Sequence, residues 1–330
     1  MITLTKLRRK PRHFQAFTGL SPARFDALLA ELTPVYQAAL TNGRQTPGRQ
    51  RELGAGHPFA LSLPDRLLMG LIYLRLYVSQ TLLSYLFDLD ESNISRELRV
   101  RLLPVLQDVL PTPLQDAPLR FLVCGGAGNS PDAPVQPDPK RKKRISTLQE
   151  LLATYPEIAE VLLDATEQSV PQPEDKLRRK QAYSGKQHDH TVKTQIVATR
   201  KTILHVFGGL PGCINDMCVL RASGVLRQVP PGVSVRLDKG YAGADAAYPK
   251  VAVQQPLKKR RKQDVTVLER AYNHALSVFR IPVEHHFARL KKWGCMAQVW
   301  RGKFADHENT FCVIAGLLNF RHSGAFALIG

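Results

Sequence analysis

The chain is 330 residues long and carries 46 Lys and Arg against 28 Asp and Glu, a formal net charge of +18. An excess of that size points to a polyanionic partner rather than to solubility alone, and a 44% apolar content excludes wholesale disorder. No apolar run approaches the roughly 20 residues of a membrane span, so no membrane partner is expected.

The N-terminus lacks the apolar core of a signal peptide. Cys124, Cys213, Cys218, Cys295 and Cys312 are odd in number and contain no CxxC pair. They predict neither a zinc site nor a disulfide framework, but reduced thiols in a cytoplasmic protein.

In chain order, Ser21 followed by Pro22 opens a first helical pattern, with Phe25, Leu28, Leu29 and Leu32 at helical spacing. Residues 41–60, rich in Gly, Arg, Gln and Pro, read as a loop. Pro64-Asp65 opens a helix through Val78, Ser79 to Phe87 forms a short second one, and Asp88-Leu-Asp-Glu-Ser makes a tight turn. A third helix begins near Asn93. Its apolar positions Ile94, Leu98, Leu102, Val105 and Leu106 share one side, leaving Asn93, Arg96 and Arg99 available to solvent or DNA. This is a helix-turn-helix pattern over about 58–108, whose third helix can enter a major groove; ordinary three-helix packing gives the same pattern. Residues 111–145 have linker composition, broken by Pro and Gly and closing on Lys140-Arg-Lys-Lys-Arg144. That block suits a phosphate backbone, or is a solvated charge run.

The second half alternates strands and helices. Thr147-Leu-Gln-Glu150 is a capping box for a helix. Glu160 to Thr166 reads as a buried strand ending in Asp164. Thr191–Thr199 alternates like a half-buried strand, and Thr202–Phe207 is a third. A Gly-rich loop (208–212) precedes a helix to about Val225. Val233–Asp238 and Lys250–Gln254 are two further strands. A long helix follows over about Val265–Phe279, Pro282 breaks it from a Glu284 helix, and Glu308–Phe320 closes the chain. The pattern is mixed α/β.

The segment Arg280–Lys291 concentrates the chemistry. Val283, Phe287 and Leu290 give it an apolar face, and Glu284 and Lys291, seven apart, share a different one. The stripe is either a solvated charged face or a metal-binding carboxylate beside phosphate-binding cations. Asp164 and Asp238 at strand ends, with Glu284 on a helix packed against the sheet, would form a carboxylate cluster that needs cations to stay ionised. Two Mg²⁺ or Mn²⁺ ions suit such oxygen ligands and phosphoryl transfer. Strand-end acids that merely cap turns are the alternative.

Leu163-Asp-Ala-Thr-Glu167, Tyr183-Ser-Gly-Lys-Gln-His188, Gly212-Cys-Ile-Asn-Asp216, Leu237-Asp-Lys-Gly-Tyr241 and Val283–Lys291 occur in one order and spacing. Together they resemble the DDE transposases of bacterial insertion sequences, in the group whose catalytic domain is shared with Harbinger-type elements. The resemblance implies an all-α N-terminal domain (1–110) with a helix-turn-helix, a linker (111–145), and a ribonuclease-H-like α/β catalytic domain with a mixed sheet (146–330).

It places the two catalytic, metal-binding aspartates on Asp164 and Asp238 and the glutamate on Glu284. DNA contacts fall to Lys186, His188, Arg280 and Lys291 beside those of the third helix. Related transposases carry a Tyr-x2-Arg-x3-Glu-x6-Lys signature. Arg280, Glu284 and Lys291 match it, whereas its tyrosine position is Ser277 here. Asn215 stands where the group often has His, Glu167 reads as support for the first strand, and His285-His286 as surface or DNA contacts.

The implied function is cut-and-paste transposition. Terminal inverted repeats are bound and nicked, and 3′-hydroxyl ends are joined to target DNA by a homodimer in the bacterial cytoplasm, at the nucleoid. The rivals are a non-cleaving DNA-binding protein derived from a transposase, and a metal-dependent DNA nuclease on the same fold.

Overall fold

The computed structural model describes residues 2–42, 59–115, 145, 147–257 and 266–323. Three helices, α1 (Leu4–Arg8), α2 (Pro11–Thr18) and α3 (Pro22–Asn42), come first. The Ser62 hydroxyl then accepts from the Asp65 amide and, with Pro64 in the first turn, starts α4 (Leu63–Leu76). Ser79 caps α5 (Gln80–Phe87) in the same way. Tyr77 and Asp88 end these two helices in the left-handed conformation. A rod then runs through α6 (Glu91–Arg96), a wide π turn (Glu97–Leu102) and α7 (Leu103–Val109). Within it the buried Glu97 carboxylate accepts from Tyr36 at 2.6 Å and from Arg101 at 3.2 Å, and Arg66 donates to the Tyr36 hydroxyl at 2.7 Å.

Among the described residues seven strands form the sheet: β1 (Leu114–Gln115), β2 (Glu160–Ser169), β3 (Tyr183–Ser184), β4 (Asp189–Ala198), β5 (Ile203–Pro211), β6 (Ser234–Arg236) and β7 (Ala252–Gln254). Their order is β1-β5-β4-β2-β6-β7, with β3 paired to the end of β4. β2, β4 and β5 are an antiparallel meander; β6 joins parallel to β2, and β7 parallel to β6. A meander followed by two parallel strands on its first edge is the ribonuclease-H-like mixed sheet. The helices of this half are α8 (Leu148–Thr154), α9 (Lys176–Ala182), α10 (Asp216–Ser223), α11 (Ala244–Ala247), α12 (Val267–Leu290), α13 (Gly294–Ala297) and α14 (Phe304–Ser323).

Several expectations are corrected. Asp164 sits in the middle of β2, not at its end, because β4 pairs with β2 as far as Ser169. β4 is buried on both faces from Thr191 to Ala198, as a strand between two others must be. The Gly-rich segment after Phe207 is not a loop: Leu210 and Pro211 pair with Lys193 and Val192 past an irregularity where Gly209 has φ +71°. Pro282 does not break α12, which runs unbroken for 24 residues. Burial of Val283 and Leu290 against the sheet side offsets the missing hydrogen bond. Residues 114–115 are strand β1 rather than linker; 116–144, with Cys124 and Lys140–Arg144, lie outside the described residues. Cys213, Cys218, Cys295 and Cys312 are free thiols.

One apolar cluster runs from Phe14, Phe25 and Leu67 through Leu98 and Leu102 to Trp293, Trp300 and Phe320, and onto the sheet at Leu162 and Ile196. The core therefore crosses from the first 110 residues into the second half without a break. Tyr77 stacks on Trp300, Gln298 donates to the Leu76 carbonyl, and the Arg301 amide donates to the Tyr77 hydroxyl. A second cluster, with α8 and Leu220 of α10, covers the other face of the sheet. Among the described residues no helix is long and apolar enough to cross a membrane.

Candidate active site

The parallel register of β2 and β6 pairs Leu162 with Arg236. Two residues further along each chain are Asp164 and Asp238. By the strand period of two they lie on the same face, one interstrand spacing of about 4.8 Å apart in backbone position. Asp238 is still extended (φ −83°, ψ 170°) as it caps a single 3₁₀ turn, Lys239–Tyr241. Both aspartates are half-buried, and an Asp164 carboxylate oxygen accepts from the Ala165 amide at 2.8 Å.

That face is the one α12 and α14 cover. Gln168, in phase with Asp164, donates to the carbonyls of Cys295 and Gln298 and meets the His307 ring nitrogen at 2.9 Å. Burial lowers the pKa of His307 to about 4 and keeps it neutral.

Glu284 reaches this face through the rotation of α12. Val283 and Leu290 point into the core, and the buried His286 ring bonds to the Thr199 carbonyl, at the end of β4, at 2.9 Å. At 100° per residue, Glu284 and Lys291 lie within about 20° of each other, on the flank opposite His286. His286 is on the β4 side, so that flank faces the β2–β6 side. Lys291 lines a small cleft with Thr166, Glu167 and Phe287. Glu284 is exposed.

Beneath the aspartates lies Tyr241, fully buried, its hydroxyl without a hydrogen-bond partner among the described residues. Burial above all, then the negative charges of Asp164, Asp216 and Asp238, push its phenol well above the ordinary range. Three aspartates thus surround one neutral phenol. Oxygen donors so placed fit a hard divalent cation, although among the described residues no three His, Cys, Asp or Glu side chains are grouped as a ready-made metal cage.

Behind this face a buried ion network braces the sheet. Lys193 on β4 pairs with Glu167 at 3.2 Å and Asp216 at 3.0 Å, and donates to the Ile214 carbonyl at 2.6 Å. Burial disfavours ionised Glu167, but hydrogen bonds from Ser184 and Thr191 and the Lys193 charge outweigh it and hold the carboxyl below its usual range. Asp216 in turn abuts Gly240, where a Cβ would come within 2.5 Å of its carboxylate. The acid of uncertain role therefore supports the turn that carries Asp238.

Residues 163–319 match the family model described as DDE superfamily endonuclease, and residues 59–112 match the helix-turn-helix of DDE superfamily endonuclease. The chain belongs to the DDE superfamily endonucleases. It is also 31% identical over 181 residues to a protein of Microchaete diplosiphon described as a probable transposase for insertion sequence element IS702. That match covers 54% of this chain and 63% of the relative.

Within this superfamily chain the remaining expected site residues are spread out. Asn93, Arg96 and Arg99 are exposed on the outer face of α6 and the π turn, Arg96 donating to Asn93 at 3.3 Å, while Ile94 and Leu98 face inward. Lys186 and His188 are exposed at the β3–β4 hairpin tip, where His188 has φ +54°. The Arg280 side chain lies outside the described residues. His286 is a buried, hydrogen-bonded core residue and not a surface contact; burial lowers its pKa. Asn215, in place of histidine, caps α10 by accepting from the Cys218 amide at 2.8 Å. Sequence reasoning missed Lys193 and Tyr241. The signal for Lys193 was a lone charge inside a strand that is otherwise apolar or hydroxyl-bearing.

Proposed function

We propose that the chain is a DNA transposase that cleaves at the ends of an insertion element and joins them to target DNA. The observation carrying this reading is the pairing of Asp164 and Asp238 on adjacent parallel strands, under the flank of α12 that bears Glu284 and Lys291. Asp164, Asp238 and Glu284 would hold Mg²⁺ or Mn²⁺, with room for two ions in the donor chemistry. When bound, these supply activation of the attacking oxygen and stabilisation of the leaving one.

The chain's own groups do the rest. Asn93, Arg96 and Arg99 contact the terminal inverted repeat, and Lys186, His188 and Arg280 hold flanking backbone. Lys291, one flank with Glu284, fixes a phosphate beside the aspartates. Buried Tyr241 keeps a low-dielectric floor under them, and the Lys193 network holds the Asp238 turn. Water attack at phosphorus breaks the P–O3′ bond in the nicking of an end and frees a 3′-hydroxyl. That hydroxyl attacks a target phosphate, forming one P–O bond as another breaks. Pairing two ends calls for a homodimer on DNA.

The test is incubation of the protein with Mg²⁺ or Mn²⁺ and DNA carrying the element's ends, beside Asp238→Asn. Metal-dependent nicking and joining, both lost in the variant, are expected. Nicking without joining would favour a nuclease. Repeat binding without cleavage in either metal would favour a DNA-binding descendant.

A further inference from the structure

On the side of α12 away from Glu284, an open cleft of about 380 Å³ is lined by Arg75, Arg289, Lys292, Leu318, Arg321 and His322. Arg289 stands about 140° around the helix from Glu284. The cleft is therefore separate from the carboxylate site. Its cations arrive from three helices: Arg75 from the last turn of α4, Arg289 from that of α12, and Arg321 and His322 from that of α14. Arg75 bonds to the Lys292 carbonyl and Arg289 donates to the His322 ring at 2.8 Å.

Among the described residues no carboxylate pairs with any of these cations, and none lines the cleft. Basic residues at helix C-termini ordinarily answer the local negative dipole. That explains each one singly, but not their convergence on one concavity. The convergence is unfavourable in the free protein. Burial first, and then Arg321, lowers the Arg75 pKa; burial and then Arg289 lower that of Arg321. His322 is lowered by burial and then by Arg289, Arg321 and Lys201, so it serves as a neutral acceptor that orients Arg289. Guanidinium groups held together without a counter-charge are a site for a bidentate oxyanion.

We propose that this cleft binds a backbone phosphate of a second stretch of duplex DNA, held on the opposite side of α12 from the one being cut. The choice of DNA as ligand rests on the transposase reading above; the oxyanion chemistry does not.

The test is fluorescence-anisotropy titration of a labelled duplex without element ends, across a range of salt, in full-length protein carrying Asp238→Asn so that cleavage cannot intervene. R289Q/R321Q should weaken binding at least tenfold and flatten the log affinity against log salt slope by about two, one per lost phosphate contact. R289K/R321K, which keeps the charge, should retain the slope. Unchanged affinity and slope in the glutamine pair would overturn the proposal. So would equal losses in the lysine pair, which would mark a packing defect. If pyrophosphate alone raises the melting temperature of the parent but not of the glutamine pair, with the duplex slope unmoved, the cleft is a small-oxyanion site and the DNA assignment fails. Failure of nicking at the ends would leave this binding readout intact, and failure here would leave nicking intact.

Discussion

Replacing Lys193 by Met removes the charge at the centre of the network behind the sheet while keeping an unbranched apolar stem. A surface ion pair is worth under about 1 kcal/mol, which would make the change minor. Here the side chains of Lys193 and Glu167 are each 5% exposed and that of Asp216 is 16% exposed. Removing one partner of a buried pair commonly costs about 3–5 kcal/mol. The partial exposure of Asp216 and the remaining hydrogen bonds to Glu167 from Thr191 and Ser184 place the expected loss near 3 kcal/mol.

The pH dependence is diagnostic. In the parent the Glu167 carboxyl is held below its ordinary value of 4.5, so its contribution is present above that value and is lost as pH falls through the folded value. In Lys193→Met two buried carboxylates face each other, their folded pKa values rise, and acidification lets the variant take up a proton that relieves the repulsion. Urea melts of both proteins from about pH 8 down to about pH 5 should show a stability gap that is widest at the alkaline end and shrinks on acidification. A gap below about 1 kcal/mol at neutral pH, or one that does not change with pH, would refute this account. Asp238-dependent nicking should fall with the same substitution and recover partly in K193M/E167Q/D216N.

Three further outcomes are expected. His307 has a folded pKa near 4 against 6.5 when unfolded, so between those values the unfolded chain binds more protons and stability rises with pH; acidifying to about pH 4 should cost up to about 3 kcal/mol, a slope that His307→Gln flattens in acid melts. A Cβ on Gly70 would come within 2.1 Å of a Leu102 methyl, so Gly70→Ala should lose about 1–2 kcal/mol in thermal unfolding despite its better helix propensity. Arg96→Ala should weaken binding to the element ends and shift base preference at one position, where a phosphate contact would instead weaken all sequences alike and lower the salt slope by about one.

The features carried by local chemistry were legible in the sequence. Ser79 and Thr147 mark their caps, the Ile94–Leu98–Leu102 stripe marks the inward face of the third helix, and both aspartates were found at the right strands. Pairing was less legible. That β2 extends past Asp164 and β5 past Gly209 depends on a partner strand, which no window of sequence contains. Pro282 misled because its local penalty is offset by tertiary contacts of Val283 and Leu290. Lys193 and Tyr241 were hidden because their roles arise from groups on other elements, Asp216 foremost. Whether a histidine in a His-His pair faces core or solvent likewise depended on where α12 docks.

The unbroken core has a consequence for scale. Leu76 and Tyr77, at the entrance to the helix-turn-helix, are clamped by Gln298, Trp300 and Arg301, which follow directly from the Glu284 helix. The base-reading helix and the carboxylates are thus parts of one rigid caliper. In a protein that reads and cuts, the number of base pairs between recognised sequence and scissile phosphate is then a fixed gauge, set by side-chain packing and insensitive to how the chain travels between the two halves.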